Sequence, residues 1–465
     1  MKDLLLRTAK DISFLGLFKE LYCNYQKRRF FSKLQSSKEK LLLFPVKNVS
    51  RKKDELLNIV QISTYDNLGG AALVAFRLYN IYRGKGHHSI MFVGYKSSKD
   101  ENVINIMNSR DDAFREICQE EGLLYWNFLS SFNLANKAAF KDGHILHFHN
   151  VHGYYFSYHA LPGLTRLKPT VWTLHDMQSI TGHCAFSYDC GKWETGCGDC
   201  PLLDASPALE KDTTAMLWKD KKELYREAEV DIVVPSKWLY NIVKKSILSD
   251  KDVHLIYNGI DTSLFKPKPK SEMRRKFNID SEKIVFITSI AGGMKNSQKG
   301  ASYLLEALKK MEFKKDIVLI CMGEKDESYE IEGVTWMNTG HIFCEEKLAE
   351  WYCAADLFLY PSLADNCPLA VLEAMACGLP VVTFATGGIP ELVKHMETGY
   401  VARYRDIDDF IKGIETFLYD RDLGLLAGKM ARINAENNFS LHQMTASYLD
   451  LYYNVINKRY NSNKS

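Results

Sequence analysis

Residues 356–393 read DLFLYPSLADNCPLAVLEAMACGLPVVTFATGGIPELV, from Asp356 to Val393. The apolar run Leu357 to Tyr360 is short and uninterrupted, as expected of a strand buried on both faces. Pro361 through Asn366 supplies a turn, and Pro368 suits the first position of a helix. Ala374, Met375 and Ala376 favour that helix, and Gly378 can take the left-handed conformation that closes it. Leu379 to Phe384 then makes the next strand, so the stretch predicts a parallel strand–helix–strand unit. Asp365 falls just before the helix and Glu373 inside it, eight positions on. Ionised carboxylates accept strong hydrogen bonds, so two of them flanking one ligand from different heights suit a ribose or a hexose.

Outward from that stretch, the chain alternates apolar strands with helical segments, the pattern of parallel sheets covered by helices on both faces. In the first half, strands are predicted at Leu57–Ile62, Ser89–Val93, His144–Phe148, Thr170–Leu174 and Asp231–Val234. A second series runs through Ile284–Ile290, Ile317–Met322, Leu357–Tyr360 and Pro380–Phe384. The two series predict two Rossmann-like domains, with a turn-rich, basic linker at Asn258 to Pro269. The domain boundaries read as 54–262 and 263–440, with a leading arm over 1–53 and a final helix and tail over 441–465. A chain of 465 residues, 46% hydrophobic, can bury two such cores.

The net charge of +3 conceals an asymmetry. Residues 1–53 carry fourteen Lys or Arg against four Asp or Glu, leaving the remainder at −7. The arm also holds apolar positions at Leu4, Leu5, Ile12, Leu15, Leu17, Phe18, Leu21, Tyr22, Phe30 and Phe31. Their spacing does not separate an amphipathic helix on anionic lipid from a solvated helix packed on its own domain. An acidic remainder without a nucleic-acid motif argues against nucleic acid as partner. No run of 18 or more apolar residues predicts a membrane span, and the N-terminus lacks a secretory cleavage pattern. Eleven cysteines without such a signal point to a reducing cytoplasm, or the inner face of its membrane.

Several polar residues fall at predicted strand ends, the edge where doubly wound sheets bind ligands. Gly69 and Gly70 follow the first strand and open a helix, where backbone amides can approach a phosphate. A turn device is the alternative reading. His149 and Asn150 in HFHN, and His175 in WTLHD, close two further strands. Lys299 lies between strand Ile284–Ile290 and a helix, where a fixed cation offsets charge on a leaving phosphate. Gly292, Gly293 and Lys295 share that loop. Neither the dinucleotide glycine fingerprint nor a P-loop occurs anywhere in the chain.

Taken together, these residues resemble the family 4 glycosyltransferases, which use the GT-B fold and retain anomeric configuration. Their pattern of two acids with seven residues between them, a small-residue helix, a strand and a GG-x-x-E turn reads here as Asp365, NCPLAVL, Glu373, then Gly387-Gly388-Ile389-Pro390-Glu391. The first acid is aspartate where the family has glutamate, one methylene shorter. The family's interdomain NG-x-D-x-x-x-F reads as Asn258, Gly259, Asp261 and Phe265. The resemblance implies two Rossmann-like doubly wound domains facing a central cleft, with the last helix returning to the N-terminal domain. It implies a nucleotide diphosphate sugar as donor and a glycan or lipid-linked glycan as acceptor. His175 is then expected to face the donor sugar and acceptor, with His149 and Asn150 on the acceptor side or one layer behind. Glu373 is expected on the ribose, Asp365 on the hexose, and Lys299 with the amides of Gly387 and Gly388 on the diphosphate. Asn366 and Leu369 join them on the donor side, with Glu324 and His341 near the base. The family usually places Arg where this chain has Gly293, so Lys295 or the amides of Gly292 and Gly293 take over that role. No protein nucleophile is established in the family, and no catalytic metal is expected. Two other classes share or descend from this architecture. They are a sugar-nucleotide epimerase and a non-catalytic glycan- or nucleotide-binding protein.

Cys184, Cys190, Cys197 and Cys200 form a second cluster within an insertion at 183–201, spaced C-x5-C-x6-C-x2-C. Thiolates at such spacing can close a tetrahedral zinc site, and His183 can replace one of them. Four thiolates leave no open position, so a zinc there is expected to be structural. Similar insertions occur in relatives that build bacterial capsular polysaccharides and exopolysaccharides.

Overall fold

The structure, a computed structural model, describes residues 24–46, 49–290, 292–293, 296–312, 316–323 and 329–462. Residues 1–23 of the basic arm, Lys295 and Glu324 lie outside the described residues. Two sheets carry the chain. The first is formed by β1 (Asn58–Tyr65), β2 (His88–Tyr95), β3 (Val103–Asn105), β4 (Ile145–Phe148), β5 (Thr170–Thr173), β6 (Asp231–Val234) and β7 (Val253–Leu255). Its order is β3-β2-β1-β4-β5-β6-β7. The second comprises β8 (Ile284–Ser289), β9 (Ile317–Met322), β10 (Val334–Gly340), β11 (Leu357–Tyr360), β12 (Val381–Phe384) and β13 (Gly399–Ala402). Its order is β10-β9-β8-β11-β12-β13. Neighbouring strands run parallel, as in β1 with β4, and in β8 with both β9 and β11.

All nine strands expected from sequence form, within two or three residues at their ends. They are the interior strands, buried on both faces and therefore written as apolar runs. The four that sequence missed, β3, β7, β10 and β13, are the edges of the two sheets. β3 and β7 have three residues each, and β10 is half-buried along nearly all its length. Such segments lack the continuous apolar signal.

By packing, the chain divides into a first unit, Met1–Ile232, Val243–Asp252 and Tyr452–Ser465, and a second, Val233–Ile242 and Val253–Leu451. The final helix, Leu441–Ser462, gives its last turns to the first unit. There the Tyr452 hydroxyl meets His147 Nδ1 at 2.6 Å and Tyr453 donates to the Glu55 carbonyl at 2.5 Å. The Asn457 amide closes a two-way bond with the Arg51 backbone at 2.8 and 3.0 Å. The second unit's core lies between its sheet and the flanking helices, with Leu304, Leu319, Leu359, Val382 and Phe410 fully buried.

Candidate functional site

In each sheet the chain reverses its direction of strand addition once, between β1 and β4 in the first and between β8 and β11 in the second. The crevice outside the carboxyl ends of those strands is where doubly wound sheets hold ligands. The residues singled out from sequence fall there. Lys299 follows β8 and Asp365 follows β11. Gly69 and Gly70 follow β1, His149 and Asn150 follow β4, and His175 follows β5.

In the second unit, Lys299 Nζ sits 2.8 Å from Asp365 Oδ2, with the two side chains 18% and 14% exposed. Tyr360 and Ser362 donate their hydroxyls to that same oxygen at 2.8 and 2.6 Å. Burial, reinforced by the Asp365 charge, pushes the Tyr360 phenol well above its ordinary range, so it remains a donor. Three donors thus converge on Oδ2, while Oδ1 accepts from no described residue. The loop carrying Lys299 is stitched to this turn by Leu363 N donating to Gln298 O at 2.8 Å and Gln298 Nε2 to Ala364 O at 3.0 Å. Gly300 makes that approach possible. Its φ is +69°, and a Cβ there would stand 1.8 Å from the Pro361 carbonyl oxygen.

The GG turn works similarly. A Cβ on Gly387, at φ +53°, would lie 1.8 Å from Asp365 O, and one on Gly388 would lie 2.2 Å from Asn366 O. These glycines let the turn after β12 rest directly on the backbone that carries Asp365. Glu373 lies in the helix Leu369–Ala376, 5% exposed, with the Tyr352 hydroxyl 3.4 Å from Oε2. Asn366 accepts from the Ser236 hydroxyl at 2.5 Å, and Leu369 is 7% exposed, so both also build the turn. Glu391, the last acid of the GG-x-x-E pattern, accepts the amides of Lys237 and Trp238 at 2.7 and 2.8 Å and the Tyr257 hydroxyl at 2.8 Å. A carboxylate on two free amides at the start of the helix Lys237–Val243 is a helix anchor. Gly292 and Gly293 have φ of +82° and +71°, so they turn the chain beyond β8. His341 is exposed beside Phe343.

In the first unit, Gly69 has φ +86° and nothing stands within 4 Å of where a Cβ would lie on it or on Gly70. The loop before them is held by Asp66, buried, which accepts from Ser97 N, Ser97 Oγ and Ser98 N at 2.7–3.1 Å. Burial alone would raise that carboxyl, but the Ser97 and Ser98 bonds hold it below its usual range. His149 Nδ1 lies 3.1 Å from His175 Nε2 with the rings nearly parallel. His149 is fully buried and His175 half-buried, so His149 stands behind His175. Burial holds His149 well below the usual histidine range and His175 down to about 4, so both are neutral at pH 7. Beside them, Asp176 takes His152 Nε2 at 2.8 Å and Asn150 Nδ2 at 3.4 Å.

The four cysteines and His183 line one small, partly open pocket of about 20 Å³. Gly182 N donates to Cys197 Sγ at 3.2 Å, and His183 Nε2 is 3.5 Å from Cys200 Sγ while its Nδ1 meets Pro207 O at 2.8 Å. The structure brings these residues to one pocket, yet no three His, Cys, Asp or Glu among the described residues stand where they could hold a metal ion. Burial raises the thiols of Cys184, Cys197 and Cys200, Cys184 to about 11, so at their present spacing these three are protonated.

Sequence reasoning missed Tyr360, Ser362, Gln298, Asp66 and Gln61. Tyr360 alone carried a signal, as a polar-tipped aromatic closing an otherwise wholly apolar strand.

Residues 68–264 match the family model described as Glycosyltransferase Family 4, and residues 283–420 match that described as glycosyl transferases group 1. The putative colanic acid biosynthesis glycosyl transferase WcaC of Escherichia coli is 23% identical over 86% of this chain and 100% of its own length. The N-acetyl-alpha-D-glucosaminyl L-malate synthase of Bacillus anthracis is 27% identical over 48% of this chain and 60% of its own. Among solved structures, sucrose-phosphate synthase of Thermosynechococcus elongatus aligns with TM-score 0.65 at 19% identity, over 86% of this chain and 99% of that one. Anabaena HepE in complex with UDP-glucose aligns with TM-score 0.57 at 16% identity, over 87% and 99%.

Proposed function

Because the chain belongs to the family 4 glycosyltransferases and has their GT-B fold, we propose that it moves a hexosyl group, with retention, from a nucleotide diphosphate sugar to a hydroxyl of a glycan or lipid-linked glycan in cell-surface polysaccharide synthesis. The observation that carries this reading is the Lys299–Asp365 cluster at the reversal point of the second sheet. A cation fixed there, beside a carboxylate with one uncommitted oxygen, can offset phosphate charge while accepting a sugar hydroxyl. The UDP-glucose bound in HepE and the putative colanic acid role of WcaC support the donor class and the pathway class.

In this proposal Lys299 faces the diphosphate, aided by the amides of Gly387 and Gly388, while Asp365 Oδ1 takes a hexose hydroxyl and Glu373 takes the ribose. His175 contacts the reacting sugar. With no carboxylate assigned as nucleophile, acceleration rests on positioning and fixed charge, and the leaving phosphate oxygen takes the acceptor proton. Glu373→Gln tests the assignment: it should weaken the donor and the bare nucleotide diphosphate alike, measured by calorimetry. Unchanged affinity for both would remove the ribose from Glu373. Transfer assayed over a panel of nucleotide sugars and acceptors decides the reaction itself. Nucleotide binding without turnover, or an epimerised nucleotide sugar without acceptor, would overturn it.

The proposal extends to the membrane. No helix among the described residues is long and apolar enough to cross one. Helical residues 24–42 and the segment after them expose Tyr25, Phe31, Leu42, Leu43, Val46, Val49 and Leu56 among many Lys and Arg, which suits peripheral contact with an anionic inner leaflet. Cosedimentation with anionic vesicles should fall when residues 1–53 are removed, and equal binding would exclude the contact. A zinc in the cysteine cavity would require the thiols to close from their present spacing. Elemental analysis of freshly purified protein should then find about one zinc per chain, and none in folded protein would reject it.

A further inference from the structure

Gln61 is fully buried in the middle of β1, and its side-chain amide touches three groups that together fix its orientation. One atom of the amide lies 3.1 Å from Ala75 O and 3.0 Å from His149 Nε2, and the other lies 3.3 Å from Tyr79 N; the donors and acceptors around it match when the first is nitrogen and the second oxygen, while Ser89 Oγ, 3.5 Å from the second, can donate or accept. The reverse orientation would set oxygen against the Ala75 carbonyl oxygen and nitrogen against the Tyr79 N–H, with no hydrogen available where one is needed. Ala75 and Tyr79 belong to the helix Gly70–Gly84, whose backbone does not titrate. The amide is therefore oriented by groups that cannot change their hydrogen-bonding sense.

That orientation propagates. A donor on His149 Nε2 requires a lone pair there, so the neutral His149 carries its hydrogen on Nδ1. Nδ1 is 3.1 Å from His175 Nε2, which must then accept. His175, also neutral, is left with its hydrogen on its own Nδ1. We propose that Gln61 is a positioning residue for glycosyl transfer: acting through His149, it sets the tautomer of His175, whose Nδ1 is then a hydrogen-bond donor and not a base.

The chemical consequence bears on the ligand. A neutral imidazole presenting N–H recognises an oxygen acceptor, such as a hexose hydroxyl oxygen or a phosphate oxygen, and does not withdraw the acceptor's proton. This part rests on the glycosyltransferase reading. The tautomer itself does not, because it is a property of the free protein.

The two are tested separately. Histidine ring nitrogen NMR on the ligand-free, full-length protein should show His149 and His175 both protonated at Nδ1. Gln61→Glu places only oxygens at the amide, and should switch both rings to Nε2–H without unfolding the protein. Gln61→Leu should lower kcat about tenfold, the scale of one hydrogen bond, while leaving donor KM unchanged. Nε2–H on His149 or His175 in the wild type overturns the proposal, and that measurement stands even if neither variant folds. Tautomers unchanged in a folded Gln61→Glu overturn it too. Wild-type tautomers as expected, with no transferase activity on any donor, would fail the functional reading alone.

Discussion

Lys299 and Asp365, 66 positions apart in sequence, form an ion pair of 2.8 Å at the carboxyl ends of adjacent strands. Their roles are therefore coupled. Lys299→Ala should lower turnover by roughly 3 kcal/mol, as for loss of one fixed charge-stabilising donor. Asp365→Asn should also lower it, because the amide no longer holds the ammonium in place. In the double variant the losses should fall short of additive by about 0.5–3 kcal/mol, the range for contacting residues. Steady-state kcat for the four proteins checks this, and strict additivity would mean the pair acts as two independent contacts.

Gly300→Ala tests how that pair is assembled. The left-handed φ and the Pro361 carbonyl both oppose a side chain here, so the loop carrying Lys299 must move. A stability loss of about 1–3 kcal/mol is expected from strain of this kind, with a larger proportional loss of donor turnover. Denaturant unfolding and kinetics on one preparation would show it. A variant as stable and active as the wild type would mean the loop has slack that the structure does not show.

Glu391→Gln should behave differently. Glu391 accepts two helix amides and a tyrosine hydroxyl, so loss of its charge should cost about 1–2 kcal/mol of stability through the helix terminus. The affinity of the folded fraction for nucleotide diphosphate should stay near wild type. Tight-binding loss without a stability change would move Glu391 into the ligand site.

The buried histidines make stability depend on pH. Burial, with Arg51 adding to it, holds His144 down to about 4, and burial holds His175 down to about 4 and His147 and His149 well below their ordinary 6.5. Below 6.5 the unfolded chain takes up protons that the folded chain refuses, so this contribution is complete above 6.5 and lost as pH falls towards 4. The thermal midpoint should drop across that window, and His144→Asn should make the drop shallower. An unchanged midpoint from 6.5 to about 4 would mean these rings take up protons in the fold as readily as in the unfolded chain.

How much of this was legible depended on where a residue sits in its sheet. Interior strands such as β9 and β11 declare themselves, because both faces are buried and every position is apolar. Edge strands such as β10 and β13 do not. The acids Asp365 and Glu373 and the cation Lys299 were readable as chemistry bearing on a ligand. Their mutual arrangement was not, because an ion pair across 66 positions depends on strand order, which no local pattern encodes. Glu391 illustrates the same limit: its spacing marks it as part of the motif, while only the structure shows that its oxygens cap a helix. Gln61 had no signal at all, since a polar residue inside an apolar strand becomes meaningful only once its neighbours are known.

The closing turns of the helix Leu441–Ser462 place Tyr452, Tyr453 and Asn457 in the core and seams of the first unit. During translation that unit's own N-terminal segments emerge hundreds of residues earlier, with His147 and its neighbours lacking the last partner. The first unit can therefore complete its packing only after residues 452–457 have been translated. A chain truncated before Leu441 should leave both a missing helix and an unfinished N-terminal domain, the kind of surface that chaperones and proteases recognise.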